Sequence, residues 1–209
     1  MPNPSYKMDC CLEPDDSYVV PILGDINWLA KPVTRDQRYM NNYIQIQDLD
    51  SKRILHIGIG HSSVSLLPNV RKASKIIGVT LSNEECKFGN NLKLENYHIN
   101  VINKYGTSFS NKIREEQPFD IISDNNIFLY TCCLKHAKLY FSLLVNSLSD
   151  KGIIITHALG LGCVHQTNRG MPHPTDLKSL RKFCEEFNLV VDEEKDGVYI
   201  IRKVQTSAG

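Results

Sequence analysis

The sequence predicts an α/β fold: a doubly wound, mostly parallel seven-stranded sheet closed by an antiparallel C-terminal hairpin. Three observations predict it. Short apolar runs of strand length alternate with stretches of helical spacing. No linker, repeat or low-complexity tract divides the chain. Its 209 residues suffice for one well-cored domain and fall short of two ordinary ones. The expected organisation is a single domain over 1–209, with a cover segment and helix at 1–48 ahead of a core at 49–204.

Thr34 with Gln37 forms a capping box ahead of Met40, Tyr43 and Ile44, and opens the first helix. Residues 53–59 (RILHIGI), running into Gly60, read as a buried strand, and 75–81 (KIIGVTL) as a second. Ser82 with Glu85 makes a second capping box, opening a helix over 83–95. Residues 97–103 (YHINVIN) form a weaker third strand, and 119–123 (FDIIS) a fourth. Leu134, Ala137, Phe141, Leu144, Val145 and Leu148 keep helical spacing up to an Asp150-Lys151-Gly152 stop. Residues 152–158 (GIIITHA) form the fifth strand. After Pro174, helical spacing returns at Leu177, Leu180, Cys184 and Phe187, and 189–193 pairs with 197–203 (GVYIIRK) as a hairpin.

Composition narrows the function classes. Hydrophobic residues make up 42% and charged residues 22%, which excludes disordered, collagen-like and coiled-coil chains. A formal net charge of +1 gives no global field for nucleic acid or an anionic membrane. No run approaches the ~20 apolar residues of a membrane helix. The start, MPNPSYKMDCCLEPDD, lacks the apolar core of a secretory signal, so the expected location is the cytoplasm. Seven cysteines, with adjacent pairs at Cys10-Cys11 and Cys132-Cys133, make a poor disulfide framework. With no C-x-x-C and no H-x-x-x-H, no metal site is expected. Lys outnumbers Arg, and Ile and Asn are frequent, which points to an AT-rich, bacterial coding sequence. The oligomeric state stays open, a homodimer included.

In a doubly wound sheet, ligands sit beyond the carboxyl ends of the strands, where strand order reverses. The first strand here ends in Gly58-Ile59-Gly60-His61-Ser62-Ser63. Two glycines let the backbone turn tightly and approach a ligand with no Cβ in the way. Ser62 or Ser63 would cap a following helix, whose first N–H groups suit a carboxylate or phosphate.

In this context the sequence resembles the class I S-adenosylmethionine-dependent methyltransferases, which are Rossmann-like. ILHIGIGHS at 54–62 looks like their glycine motif, and KIIGVTLSNEE at 75–85 is similar to their second strand and helix start. FDIISDNNIFLY at 119–130 looks like their fourth-strand motif. SDKGIIITHA resembles their turn into strand five, and 189–203 their closing strand pair. The resemblance runs in order from about 34 to 203. It implies S-adenosyl-L-methionine as cofactor, held by His56, Gly58, Gly60, His61 and Ser62, by Thr80, Leu81 and Ser82, by Tyr105 and Gly106, and by Asp124 and Asn125. Four positions depart from the family pattern. His56 stands where an acid near the cofactor's ammonium is usual, Ser62 replaces the third glycine, and Thr80 replaces the acid that holds the ribose hydroxyls. The acid after strand three is missing, and Asn103, Tyr105 or Gly106 stand there.

The acceptor pocket is expected between the tip Asp124-Asn125-Asn126, the loop 157–174 and the N-terminal cover 16–40. Arg38, Tyr39, Asn126, Tyr130, His165 and His173 are the candidate acceptor-binding residues. If a general base is needed, His157 is the first candidate and Asp124 the second, since both end strands. The implied acceptor is a small polar molecule, phosphorylated or linked to a sugar or nucleotide, as in glycan or secondary-metabolite synthesis. Competing expectations remain. His56 also suits a core histidine bonded to a carbonyl, and Asp124-Asn125-Asn126 a turn cluster. A non-catalytic binding subunit of the same fold would explain His56 and Thr80 as decay. An NADP-dependent oxidoreductase would use the same turn, with Ser63 and Thr80 in place of its glycine and acid.

Overall fold

A computed structural model describes residues 32–60, 70–128, 131, 134–161 and 174–205. Strands β1 (Arg53–Ile57), β2 (Lys75–Thr80), β3 (Tyr97–Val101), β4 (Phe119–Asp124), β5 (Leu148–His157), β6 (Leu189–Glu193) and β7 (Val198–Lys203) form one sheet in the order 3-2-1-4-5-7-6. The first five strands are parallel; β7 runs antiparallel to β5 and to β6, so the chain closes in a hairpin. Strand order reverses between β1 and β4, where Ile54 pairs with Ile121 and Ile57 with Asp124. The predicted α/β architecture is the observed one.

Helices cover both faces. Helix α1 (Arg35–Gln45) sets Met40 and Ile44 against Ile54, Ile76, Ile121 and Ile155. Helix α2 (Asn83–Asn91) lies on the same face, with Gly89 packed so closely on Ile99 that a Cβ there would displace the Ile99 Cδ1 methyl. On the other face, α3 (Thr107–Glu116), α4 (Leu134–Asn146) and α6 (Leu177–Glu185) pack on Leu55, Ile57, Ile77, Val79 and Ile122. Phe141 of α4 meets Phe183 of α6 with ring centroids 5.1 Å apart at 69°, an edge-to-face pair. A single-turn helix, α5 (Ala158–Leu161), follows β5. Of the described cysteines, Cys86 and Cys184 are free, and burial pushes the Cys184 thiol up to about 12.

Three local expectations are corrected. The helix over 107–116 was not expected, because only Phe109 and Ile113 mark its apolar stripe; Glu116 supplies the third buried position. Asp150-Lys151-Gly152 is not a helix stop: α4 ends at Asn146 and β5 has already begun at Leu148. Leu148 pairs with Phe119, and Ile153 with Ile121, so these residues lie within the strand where its register on β4 shifts. Finally, α2 ends at Asn91 rather than 95, as Lys93 takes a positive φ of 51°.

At the amino ends of the strands, Glu116 ties α3 to the sheet. Its carboxylate accepts from Lys75 Nζ at 2.6 Å and Lys112 Nζ at 2.9 Å, and Arg53 Nη2 lies 3.4 Å away. The Lys75 hydrogen bond, ahead of that from Lys112, holds the carboxyl down to about 2 against the raising effect of burial. A carboxyl lowered on folding adds stability above its unfolded value near 4.5, and loses it as pH falls through the folded one. Glu116→Gln should therefore cost about 1–2 kcal/mol in urea unfolding at pH 7, after discounting for its partly exposed partners. The gap between variant and wild type should close between pH 4.5 and 2. A gap independent of pH would mean that packing, and not charge, holds Glu116.

Candidate functional site

The crevice lies where β1 and β4 part company. Gly58 (φ +68°) and Gly60 (φ +44°) both adopt the left-handed region, the reason glycine stands at each. Gly58 N–H donates to Val79 O at 2.8 Å, strapping the turn to β2. A Cβ at Gly58 would meet nothing within 4 Å, whereas one at Gly60 would come within 3.0 Å of Gln37 Nε2 and 3.8 Å of Glu85 Oε1. The turn therefore opens at Gly58 and is flanked at Gly60 by α1 and α2. His61 and Ser62, expected beside it, lie outside the described residues.

Beyond β2 the sequence prediction missed the main charge. Thr80 and Ser82 are buried as expected at the strand end, but they serve Glu85, itself 5% exposed. Thr80 Oγ1 donates to Glu85 Oε2, Ser82 N–H donates to Thr80 Oγ1 at 3.0 Å, and Glu85 N–H donates to Ser82 Oγ at 3.2 Å. Glu85 appeared in the sequence only as the far end of a capping box. The signal was its place five residues past the strand end, on the first turn of the following helix. Leu81, between them, is half-buried.

His56 is a core histidine after all, although its partner is not a carbonyl. Its Nδ1 lies 3.0 Å from Tyr97 Oη of β3, and burial lowers the ring to about 4, so it is uncharged at neutral pH. Burial, and then the charge of Glu85, raise the Tyr97 hydroxyl. The ring of His56 also lines a narrow cleft with Gly58, Ser123 and Asn125, under Gln37 and Asn41 of α1.

Both candidate bases are bound into the fold. Asp124 Oδ2 accepts from Lys104 Nζ at 2.8 Å and from Tyr140 Oη at 2.6 Å, and Oδ1 accepts from the Asn126 N–H at 3.1 Å. Lys104 also donates to Asn126 O at 2.6 Å and lies 5.0 Å above the Tyr140 ring. Burial lowers the Lys104 ammonium, and Asp124 opposes that shift. Lys104, a lone lysine after β3, was not singled out in the sequence. His157 is equally engaged: Nδ1 accepts from the Leu159 N–H at 3.0 Å, so Nε2 carries the proton and donates to Asp196 O at 2.9 Å. The Tyr39 ring stacks on it at 5.9 Å and 9°. His157 thus joins β5, α1 and the turn before β7.

The remaining candidates divide. Asn125 stands in the crevice, its Nδ2 donating to Asp36 Oδ2 of α1 at 2.6 Å. Asn126 contributes its backbone to the Lys104 clasp. Tyr105 packs edge-on against Tyr140 at 5.0 Å, and Gly106 is the N-cap of α3, so both serve the α3–α4 face. Arg38 is exposed on α1, while Tyr39 receives a hydrogen bond from Arg35 Nε at 3.1 Å. Tyr130, His165, His173 and most of the cover 16–40 lie outside the described residues. Among the described residues no three His, Cys, Asp or Glu side chains gather to hold a metal, and no helix is long and apolar enough to cross a membrane.

Comparison with models of known families and with curated protein sequences finds no match. Comparison with solved structures does. The methyltransferase MycE of the mycinamycin biosynthetic pathway, in complex with Mg, S-adenosylhomocysteine and mycinamycin VI, is 16% identical with a TM-score of 0.55 over 83% of this chain and 49% of its own. This chain thus spans about half of MycE. The N-methyltransferase NodS from Bradyrhizobium japonicum WM9 is 9% identical with a TM-score of 0.58, over 81% of this chain and 95% of that one. A putative rRNA-methylase from Clostridium thermocellum is 12% identical with a TM-score of 0.51, over 85% of this chain and 100% of that one. At such identities likeness extends to architecture. The chain has the Rossmann-like fold of these methyltransferases.

Proposed function

We propose that this protein is an S-adenosylmethionine-dependent methyltransferase acting on a small polar acceptor in the cytoplasm. One observation carries the reading: a buried carboxylate, Glu85, flanks a doubly left-handed glycine turn at the strand-order reversal. A carboxylate beside such a turn suits the vicinal hydroxyls of an adenosine ribose, and its charge repels the 2′-phosphate of NADP. The expected loss of the ribose acid at Thr80 is thus made good from the adjoining helix. The open Cβ direction at Gly58 leaves backbone for a ligand to approach.

When bound, S-adenosylmethionine supplies an electrophilic methyl group on a sulfonium. The chain's contribution is to hold donor and acceptor in line and exclude water. Neither expected base is assigned that role: Asp124 has protein donors on both oxygens, and His157 uses both ring nitrogens. They position instead, Asp124 fixing the β4 tip and His157 fixing α1 over β5. The acceptor then sits beside that tip and α1. One methyltransferase of like fold is in complex with mycinamycin VI and another is a putative rRNA-methylase, so the small, polar class rests on this chain's near-neutral balance and lack of a basic stripe.

Isothermal calorimetry should show S-adenosylhomocysteine binding in the micromolar range, about −8 kcal/mol, with no binding of NADPH. Glu85→Gln should weaken it by about tenfold, as a charged hydrogen-bond acceptor becomes a neutral one. Binding of NADPH in place of S-adenosylhomocysteine would transfer the site to an oxidoreductase. Thr80→Asp, which sets a second carboxylate against buried Glu85, should lower stability and loosen the ligand. His157→Ala should lower the melting temperature by about 3–8 °C, because it strands the Leu159 N–H and Asp196 O and removes the Tyr39 stack. An unshifted melting temperature with turnover lost would restore His157 as the base.

A further inference from the structure

Among the described residues, two buried side-chain atoms have no hydrogen-bond partner within the protein. Asn41, on the inner face of α1, is 2% exposed, and its Nδ2 is an open donor. Asn125, just past β4, is 8% exposed, and its Oδ1 is an open acceptor. The Asn125 amide is fixed in that orientation, since its Nδ2 donates to Asp36 Oδ2 at 2.6 Å and a carboxylate only accepts. Buried donors and acceptors are nearly always paired, with protein or with ordered water, because an unmade bond loses hydration and gains nothing. Both asparagines line one cleft, together with the His56 ring and Gly58.

Size and charge select what completes those bonds. The cleft has about 10 Å³ of free space, the room of one water molecule. No Lys, Arg, Asp or Glu lines it. Burial lowers the His56 ring to about 4, so it too is uncharged at neutral pH. A bare ion there would give up its hydration with no counter-charge in contact. Asp36 is joined to the cleft only through the Asn125 amide, whose carbonyl end it polarises as an acceptor. An apolar group would leave both amides unpaired. The occupant is therefore neutral, of one heavy atom, and both a donor and an acceptor.

We infer that this cleft holds one ordered water, which donates to Asn125 Oδ1 and accepts from Asn41 Nδ2. His56 supplies its third contact: Nδ1 is committed to Tyr97 Oη at 3.0 Å, which leaves Nε2 as the ring nitrogen for the cleft. Buried waters make about three such bonds. After the two asparagines, the water keeps one proton and one lone pair, so it meets Nε2 in either tautomer of the ring. Such a bridge is enthalpically close to a direct hydrogen bond. It anchors α1 to the strand ends a second time, since Asp36 meets Asn125 directly on the first turn and Asn41 meets it through water a turn later. It also accounts for a histidine inside β1, where an apolar side chain would leave the water one bond short. The assignment uses only the shape and chemistry of the cleft, and stands apart from the methyltransferase reading.

A crystal structure of the full chain, grown without nucleotide, tests this directly. One water peak should stand within hydrogen-bond distance, about 2.7–3.2 Å, of Asn41 Nδ2, Asn125 Oδ1 and His56 Nε2. In solution, oxygen-17 relaxation dispersion of the solvent counts long-lived internal waters. Asn41→Leu should show about one fewer than the wild type, because the apolar side chain removes the donor and occupies the cleft. Should that variant not fold, cross-relaxation between water and the Asn41 side-chain amide protons of the ¹⁵N-labelled wild type supplies the solution test. A long-lived cross-peak there is the expected result. A direct Asn41–Asn125 bond in the crystal, an ion in the cleft, an equal water count in wild type and variant, or an amide with no cross-peak to water each overturns the assignment.

Discussion

The parallel pairing of β1 with β4 is the constraint on which the rest depends. Both strands are buried on both faces, and their register ends at Ile57 opposite Asp124. The chain leaves β1 toward β2 and leaves β4 toward β5, so the two exits diverge and a crevice opens between them. Gly58 and Asn125, each next after the last pair, face one another across it. No other pair of neighbouring strands in this order departs away from one another. The glycine turn, the β4 tip and the first turn of α1 meet there because the topology leaves them no other place.

A crevice at a strand end is useful only if its walls hold still, and two polar clasps provide that. Lys104, Asp124 and Tyr140 join the exit of β3, the tip of β4 and the middle of α4. Two ionised groups taken from water are held by good geometry and by extra bonds to the Asn126 carbonyl and N–H, the condition under which a buried ion pair is tolerated. His157 is the second clasp, tying the end of β5 to α1 by stacking and to the turn before β7 by a hydrogen bond. Each is a short-range interaction between segments far apart in sequence.

That separation explains which features were legible in the sequence. The strands were visible because central parallel strands must be apolar on both faces, and runs such as IIGV and IIIT have no other use. The glycine turn was visible because a positive φ is the property of one residue. Helix α3 was hidden by its polarity: two apolar residues and a glutamate salted to the sheet make its buried face. The site's polar partners were hidden for a different reason. Asp36 lies 89 residues from Asn125, His56 lies 41 from Tyr97, and Lys104 lies 20 from Asp124, so no local pattern links them. Seen one at a time, Asp124 and His157 gave no sign of partners, whereas the fold engages Asp124 with Lys104 and Tyr140 and His157 with Leu159 and Asp196.

Completeness of hydrogen bonding separates structural polar residues from those a ligand can use. His56, Thr80, Asp124 and His157 are buried, and each has a protein partner suited to its chemistry. Their bonds are part of what keeps the sheet ends in place, and a ligand competing for them would loosen the walls. Among the described residues, Asn41 Nδ2 and Asn125 Oδ1 are buried with no hydrogen-bond partner. The acids absent from β1 and β2 follow the same logic. With the strand positions occupied by His56 and Thr80, negative charge reaches the crevice from the first turns of α1 and α2, as Asp36 and Glu85, where a carboxylate near a helix N-terminus is also favoured by the helix dipole.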